Sequence, residues 1–188
     1  EILTFATSAI READNGDEVL ATVGERTGMS IEVLSGEDEA RLTYLATRRW
    51  FGWSSGRIAL FDIGGGSLEI ATGVDEDPDA AVSVPLGAGH LTREFLTEDP
   101  PTKDELKALR KHIRAEVAHV AGSVTKYGEP QLVVASSKTF RQLARVAGAA
   151  PSGEGPYVPR ELKRRELKKW LPKLSAMTAK KKAKSPEV

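Results

Sequence analysis

RIALFDIGGGSLEIATG, residues 57–73, is the stretch on which the fold turns. Arg57 to Asp62 is an apolar, β-favouring run, Gly64 to Ser67 is a tight turn, and Leu68 to Gly73 is a second strand. Strand, glycines, strand is a hairpin. It is not the strand-to-helix turn of a dinucleotide fingerprint, and it lacks the lysine of a P-loop. Gly64, Gly65 and Gly66 let the backbone turn sharply and bring its N–H groups toward an anion. Ser67 adds a hydroxyl donor, and Asp62 ends the strand where a carboxylate can hold Mg²⁺. A plain hairpin needs fewer glycines, so the segment reads as a phosphate-cradling loop.

Working outward, Ala81 to Leu86 is a third strand, and Gly87-Ala88-Gly89 opens a helix through Phe95. Thr102 to Tyr127 is a long amphipathic helix with Leu106, Leu109, Ile113, Val117, Val120 and Val124 at threes and fours. Thr102 with Glu105 makes a capping box at its start. Gln131 to Ala135 is a fourth strand, Lys138 to Val146 a helix, Gly148 to Pro156 a loop, and Pro159 to Met177 a basic helix. Upstream, residues 2–8 read as a strand. A helix from Ile10 to Gly28 is interrupted near Asp14-Asn15-Gly16. A short strand at Ser30 to Leu34 and a helix at Glu37 to Trp50 follow. Hairpin strands mixed with helices imply an α/β architecture, a mixed sheet flanked by helices. The Gly/Ser-rich break at Gly52 to Gly56 is the expected boundary between units at 1–51 and 56–178, with a basic polar tail at 179–188.

The 188 residues include no cysteine, which excludes disulfides and thiolate metal sites, and only three histidines, too few to favour zinc. No apolar run approaches the roughly 18 residues of a membrane span. A soluble cytoplasmic protein with no membrane association is the expectation. Lys+Arg and Asp+Glu balance at 27 each, but the stretch from Pro159 onward is strongly basic. That end could draw polyanions, or be only a solvated helix face and a polar end. The chain starts without methionine, in mid-strand, and is read as a fragment of a longer protein.

Four further constellations fit anion chemistry, and each has a bland reading beside it. Gly87-Ala88-Gly89 puts a helix N-terminus after a strand, a ready anion site or an ordinary turn. Ala135-Ser136-Ser137-Lys138-Thr139 offers three hydroxyls and a lysine, or a capped helix with an exposed lysine. Gly36-Glu37-Asp38-Glu39-Ala40-Arg41 offers a carboxylate as general base, or acids that favour a helix dipole. Arg11, just past a strand end, can clamp a phosphate bidentately or lie on the surface.

Together the segments ATSAIREA (residues 6–13), SGEDEARLTYLA (35–46), FDIGGGSLEI (61–70), VPLGAGHLTREF (84–95) and VVASSKTFRQLA (133–144) resemble the exopolyphosphatase/guanosine pentaphosphate phosphohydrolase family. That family belongs to the actin-like ATPase, hexokinase and Hsp70 superfamily. The resemblance implies an actin-like ATPase (ribonuclease H-like) fold of two lobes, the first incomplete here. It implies a phosphohydrolase releasing terminal orthophosphate from polyphosphate or from pppGpp, with Mg²⁺. It assigns Glu39 as the base that activates water and Arg11 as the contact to the transferred phosphoryl group. Asp62 would hold Mg²⁺, with Glu69 assisting at metal or water. Gly64, Gly65, Gly66 and Ser67 would bind phosphates, joined by Gly87 and by Ser136, Ser137, Lys138 and Thr139. The partners implied are inorganic polyphosphate or a polyphosphorylated guanosine nucleotide, with a homodimer as the candidate assembly and no nucleic acid expected.

The chain departs from the family pattern in three places. The opening DxGSNS loop has no match and is expected upstream of Glu1. The third loop, normally of the form G-[AT]-S-G-T, reads Ala-Ser-Ser-Lys-Thr. The continuation after the basic helix is missing. Two other classes stay open at this point: a phosphate-ligand sensor of the same fold with little turnover, and a sugar or acetate kinase.

Overall fold

The computed structural model describes residues 2–184. The hairpin read from the glycines forms: β3 (Ile58–Ile63) pairs antiparallel with β4 (Leu68–Gly73), which pairs antiparallel with β5 (Ala80–Val84). On the other side β3 pairs in parallel with β6 (Leu132–Ser136), giving a four-stranded mixed sheet of order β5-β4-β3-β6. The parallel strand needs a crossover, and α4 (Ala88–Phe95) and α5 (Lys103–Thr125) supply it. They cover one face, where Leu91, Phe95, Leu109, Ile113, Val120 and Val124 meet Leu68, Ile70 and Val84. Thr102 and Glu105 form the expected capping box, with Thr102 N–H donating to Glu105 Oε2 at 2.7 Å.

The opposite face belongs to α3 (Gly36–Phe51). Its Ala40 and Tyr44 are wholly buried with Ile58, Leu60 and Ala71, so this helix shares a core with the sheet although it precedes the Gly52–Gly56 break. Burying side chains such as Ile58 and Leu60 contributes about 1.5–3 kcal/mol each. Ser35 caps α3 by accepting the Asp38 N–H at 3.1 Å. At its far end the buried Arg48 donates to the carbonyls of Gly52, Gly56 and Gly73 and to Tyr44 Oη and Ser55 Oγ. No carboxylate faces it among the described residues. The carbonyl cluster and the Tyr44 and Trp53 rings solvate the guanidinium instead.

Three boundaries differ from the sequence reading. The strand expected over 2–8 is only the two-residue β1 (Phe5–Ala6), parallel to β2 (Glu32–Val33). The chain is already helical from Ser8, in α1 (Ser8–Arg11). The helix expected from Ile10 breaks before α2 (Gly16–Thr27), where a side chain on Gly16 would collide with the Ile10 carbonyl. The basic helix begins at α7 (Arg164–Ser175), not at Pro159. Arg160 donates to the carbonyls of Ala150, Pro151 and Gly155 and holds the preceding segment out of the helix. The expected polar tail starts with the short α8 (Ala179–Lys182), whose Ala179 N–H donates to Asp99. Residues 185–188 of that tail lie outside the described residues. No helix among those described is long and apolar enough to cross a membrane.

Candidate phosphate and water-activation site

Strand register builds the site. Glu69 on β4 lies opposite Asp62 on β3 and opposite Ser83 on β5, while Asp62 lies opposite Ser136 on β6. Ser83, Glu69, Asp62 and Ser136 therefore form one row across all four strands. Side chains alternate along a strand, so this row shares the face of Leu60, Ala71, Ala81 and Val134, which α3 covers. The row is the polar continuation of that apolar core.

The N-terminus of α3 closes over it. A Cβ on Gly36 would collide with the Ser83 side chain and stand 3.5 Å from Arg11 Nη2, so a glycine is what permits the approach. One turn on, Glu39 Oε1 accepts from Arg11 Nη1 at 2.5 Å, and the same nitrogen donates to the Leu34 carbonyl at 2.6 Å. Thus β1, α1 and the start of α3 bring Arg11 and Glu39 together from 28 residues apart. Glu69 is nearly inaccessible and takes a 3.0 Å hydrogen bond from Ser83 Oγ. Burial pushes its carboxyl above the usual range. The Ser83 hydroxyl and that of Ser67, which lies beside it without good hydrogen-bond geometry, pull it back, and the charges of Glu39 and Asp62 push it up further.

The glycine loop sits on α4. Gly87, Ala88 and His90 donate their N–H groups to the carbonyls of Gly66, Gly64 and Gly65 at 2.9–3.0 Å. This places Gly87 differently from the direct phosphate donor of the sequence reading: its amide is engaged, and it acts as the floor of the loop. A side chain there would collide with backbone atoms of Gly65, Gly66 and Ser67. The amides of Gly65, Gly66 and Ser67 donate to no acceptor among the described residues, so they stay free for a ligand.

The third loop adds a second polar wall. Ser137 has φ of 82°, a left-handed conformation rare for serine and often kept at functional sites. Buried hydroxyls of Ser67, Ser136 and Ser137 lack hydrogen-bond partners among the described residues. Orphaned buried polar atoms cost free energy unless a ligand or water meets them, and all three fall in motifs that the sequence singles out. Thr139 Oγ1 is instead engaged, at 3.2 Å, with the Ile63 carbonyl, tying the start of α6 (Ser137–Val146) to the end of β3. Lys138 is exposed at that helix start.

A cleft of about 510 Å³ is lined by Arg11, Glu12, Gly36, Glu37, Ser67 and Ser83 together with residues of β5 and α5. Among the described residues no three Asp, Glu or His side chains converge to cage a metal. Asp62 and Glu69, in register on adjacent strands, nevertheless suit Mg²⁺, which commonly takes one or two carboxylates and completes its shell with substrate phosphates and water. Two residues lining the cleft escape the sequence reading. Ser83 is recognisable only through its register with Glu69, and Glu12 lies within the ATSAIREA motif but shows its place only in the cleft.

Residues 1–188 match the model of the Ppx/GppA phosphatase family. The chain is similar to exopolyphosphatase 1 of Mycobacterium tuberculosis, 53% identical over 179 residues, covering 95% of this chain and 52% of that protein. It thus spans about half the length of the curated relatives it matches. Among solved structures, the Aquifex aeolicus PPX-GPPA enzyme aligns with TM-score 0.77 at 28% identity, over 99% of this chain and 60% of that one. An exopolyphosphatase from Cytophaga hutchinsonii aligns with TM-score 0.82 over 100% and 61%, and at 18% identity it speaks for the fold alone. The fold is that of the actin-like ATPases, a mixed sheet flanked by helices.

Proposed function

The chain belongs to the Ppx/GppA phosphatase family, and we propose that the protein carrying it releases terminal orthophosphate from inorganic polyphosphate by attack of a Glu39-activated water. The observation that carries the reading is that Arg11, held by Glu39 at 2.5 Å, lines one cleft with Ser67 at the end of the glycine loop. The similarity to a mycobacterial exopolyphosphatase supports polyphosphate as the substrate class.

In this mechanism the loop amides and the Ser67, Ser136 and Ser137 hydroxyls receive the phosphate chain. Lys138 adds a charge at the third loop. Arg11 turns from Glu39 to the terminal phosphoryl group, which frees the Glu39 carboxylate to accept a proton. Water oxygen bonds to the terminal phosphorus, its proton passes to Glu39, and the bond to the bridging oxygen breaks. The electron pair leaves on the shortened chain. Such transfers rest on positioning and on neutralising charge at the transferring group. Mg²⁺ held by Asp62 and Glu69 would supply neutralisation of the substrate's negative charge there. Hydrolysis of pppGpp uses the same bond and the same residues, and a cytoplasmic location goes with either substrate.

Phosphate release from polyphosphate with Mg²⁺, measured beside direct polyphosphate binding on the full-length protein, tests the proposal. Release that depends on both is expected. Binding without release would replace the hydrolase with a phosphate-ligand sensor, and ATP-dependent transfer to a second substrate would replace it with a kinase.

A further inference from the structure

Glu12 stands in the cleft with no part in the mechanism above. It follows the last residue of α1 directly, so it is fixed beside Arg11. A Cβ on Gly66 would stand 2.5 Å from Glu12 Oε2 and 3.2 Å from its carboxyl carbon. The carboxylate therefore lies close over Gly66, and a side chain at position 66 would displace it. Its other oxygen is 3.6 Å from Arg11 Nη2, too far for a hydrogen bond. No closer side-chain partner holds it among the described residues. Of the other charges lining the cleft, Arg11 is engaged by Glu39 at 2.5 Å, and Glu37 shares Arg41 with Asp77.

The cleft thus keeps a loosely paired charge on Glu12, and it is negative. It rests on the very loop whose free amides attract an anion. A phosphate oxygen and a carboxylate a few ångströms apart repel, and a cation shared between them removes the repulsion. We infer that Glu12 is a charge gate on the phosphate loop, opposing the bare polyanion and favouring its cation-neutralised form. The inference rests on the loop being the phosphate site. It gives the cleft selectivity by repulsion as well as by attraction. Glu12 touches no reacting atom in this scheme, so its effect belongs to binding.

The test uses the full-length protein with Glu12→Gln and Glu12→Asp. Steady-state phosphate release from polyphosphate is followed across Mg²⁺ concentrations, and pyrophosphate binding is followed by calorimetry without divalent cation. For Glu12→Gln, KM at low Mg²⁺ falls roughly three- to tenfold, as loss of one partly screened repulsion implies. The gap closes at saturating Mg²⁺, and pyrophosphate binds more tightly without metal. Glu12→Asp keeps the charge and stays near the parent. An unchanged KM and pyrophosphate affinity in Glu12→Gln, or an effect confined to kcat, overturns the gate. A parent protein that neither binds nor hydrolyses polyphosphate would overturn the phosphate-loop reading itself, and the gate with it.

Discussion

Arg11 Nη1 and Glu39 Oε1 lie 2.5 Å apart, with side chains 25% and 14% exposed. One residue is the proposed phosphoryl contact and the other the proposed base. Each occupies the other's working group, and the Leu34 carbonyl steadies the arginine from behind. A phosphate that recruits Arg11 would release the carboxylate in the same movement.

Glu39→Gln keeps the size and the hydrogen bond to Arg11 but cannot take a proton. Phosphate release falls by about 10²–10⁴-fold, while polyphosphate binding persists. Retained turnover in a variant that binds normally would remove Glu39 as the base.

Arg11→Lys keeps a charge and loses the planar guanidinium, whose Nη1 donates to both Glu39 and the Leu34 carbonyl and whose fork suits a bidentate phosphoryl contact. We expect kcat/KM to drop by roughly 10²-fold, the scale of losing one donor to a developing negative charge. Steady-state kinetics with polyphosphate decides it, and parity with the parent would leave Arg11 as scaffolding for α3.

Gly87→Ala drives a methyl into the backbone of Gly65, Gly66 and Ser67. The loop must shift, and its amides lose their alignment. Affinity for polyphosphate drops by at least about tenfold, with the circular dichroism spectrum of the parent retained. Normal affinity would mean that the loop is not the phosphate cradle.

Arg48→Ala removes the guanidinium donor from the carbonyls of Gly56 and Gly73, while that of Gly52 keeps Ser55 Oγ at 2.7 Å. Each buried acceptor left unmatched costs about 1–3 kcal/mol. Urea denaturation should show a loss of about 3 kcal/mol or more, with activity per folded molecule little changed. A loss under about 1 kcal/mol would mean that water replaces the guanidinium there.

Glu105 accepts N–H groups of Thr97 and Thr102 and the Thr97 hydroxyl, and the backbone N–H of Thr102 leads in lowering its pKa to about 2. A depressed carboxylate stabilises the fold above its unfolded pKa, and that stability is lost as pH falls through the folded value. Glu105→Gln should therefore lower Tm at pH 7, with the difference from the parent shrinking between about pH 4.5 and pH 2. Melting curves across that range test it, and a pH-independent difference would assign the effect to the cap geometry rather than the charge.

Much of the site is legible from local chemistry alone. Three glycines after a strand permit only a sharp turn, an acidic cluster before Ala40 suits a helix start, and Thr102 with Glu105 marks a cap; each depends on residues a few positions apart. The end of β1 and the start of α7 depart from their local patterns for the opposite reason. Ile2 to Ser8 is β-favouring locally, yet the ladder partner β2 offers only two residues. Pro159 to Lys163 has helical composition, yet Arg160 ties it to a loop ten residues back.

By itself the sequence determined the glycine hairpin, the alternation of strands and helices, and the identity of the chemical groups, because these follow from backbone sterics and hydrophobic period. Tertiary structure alone decided which of those groups meet. Register across β5, β4, β3 and β6 aligns Ser83, Glu69, Asp62 and Ser136. The seating of α4 consumes the Gly87 amide and leaves those of Gly65, Gly66 and Ser67 free. The close pass of α1 lays Glu12 on Gly66. Hydrogen-bond register and interatomic distance are properties of packed elements, so no local pattern in the chain encodes them.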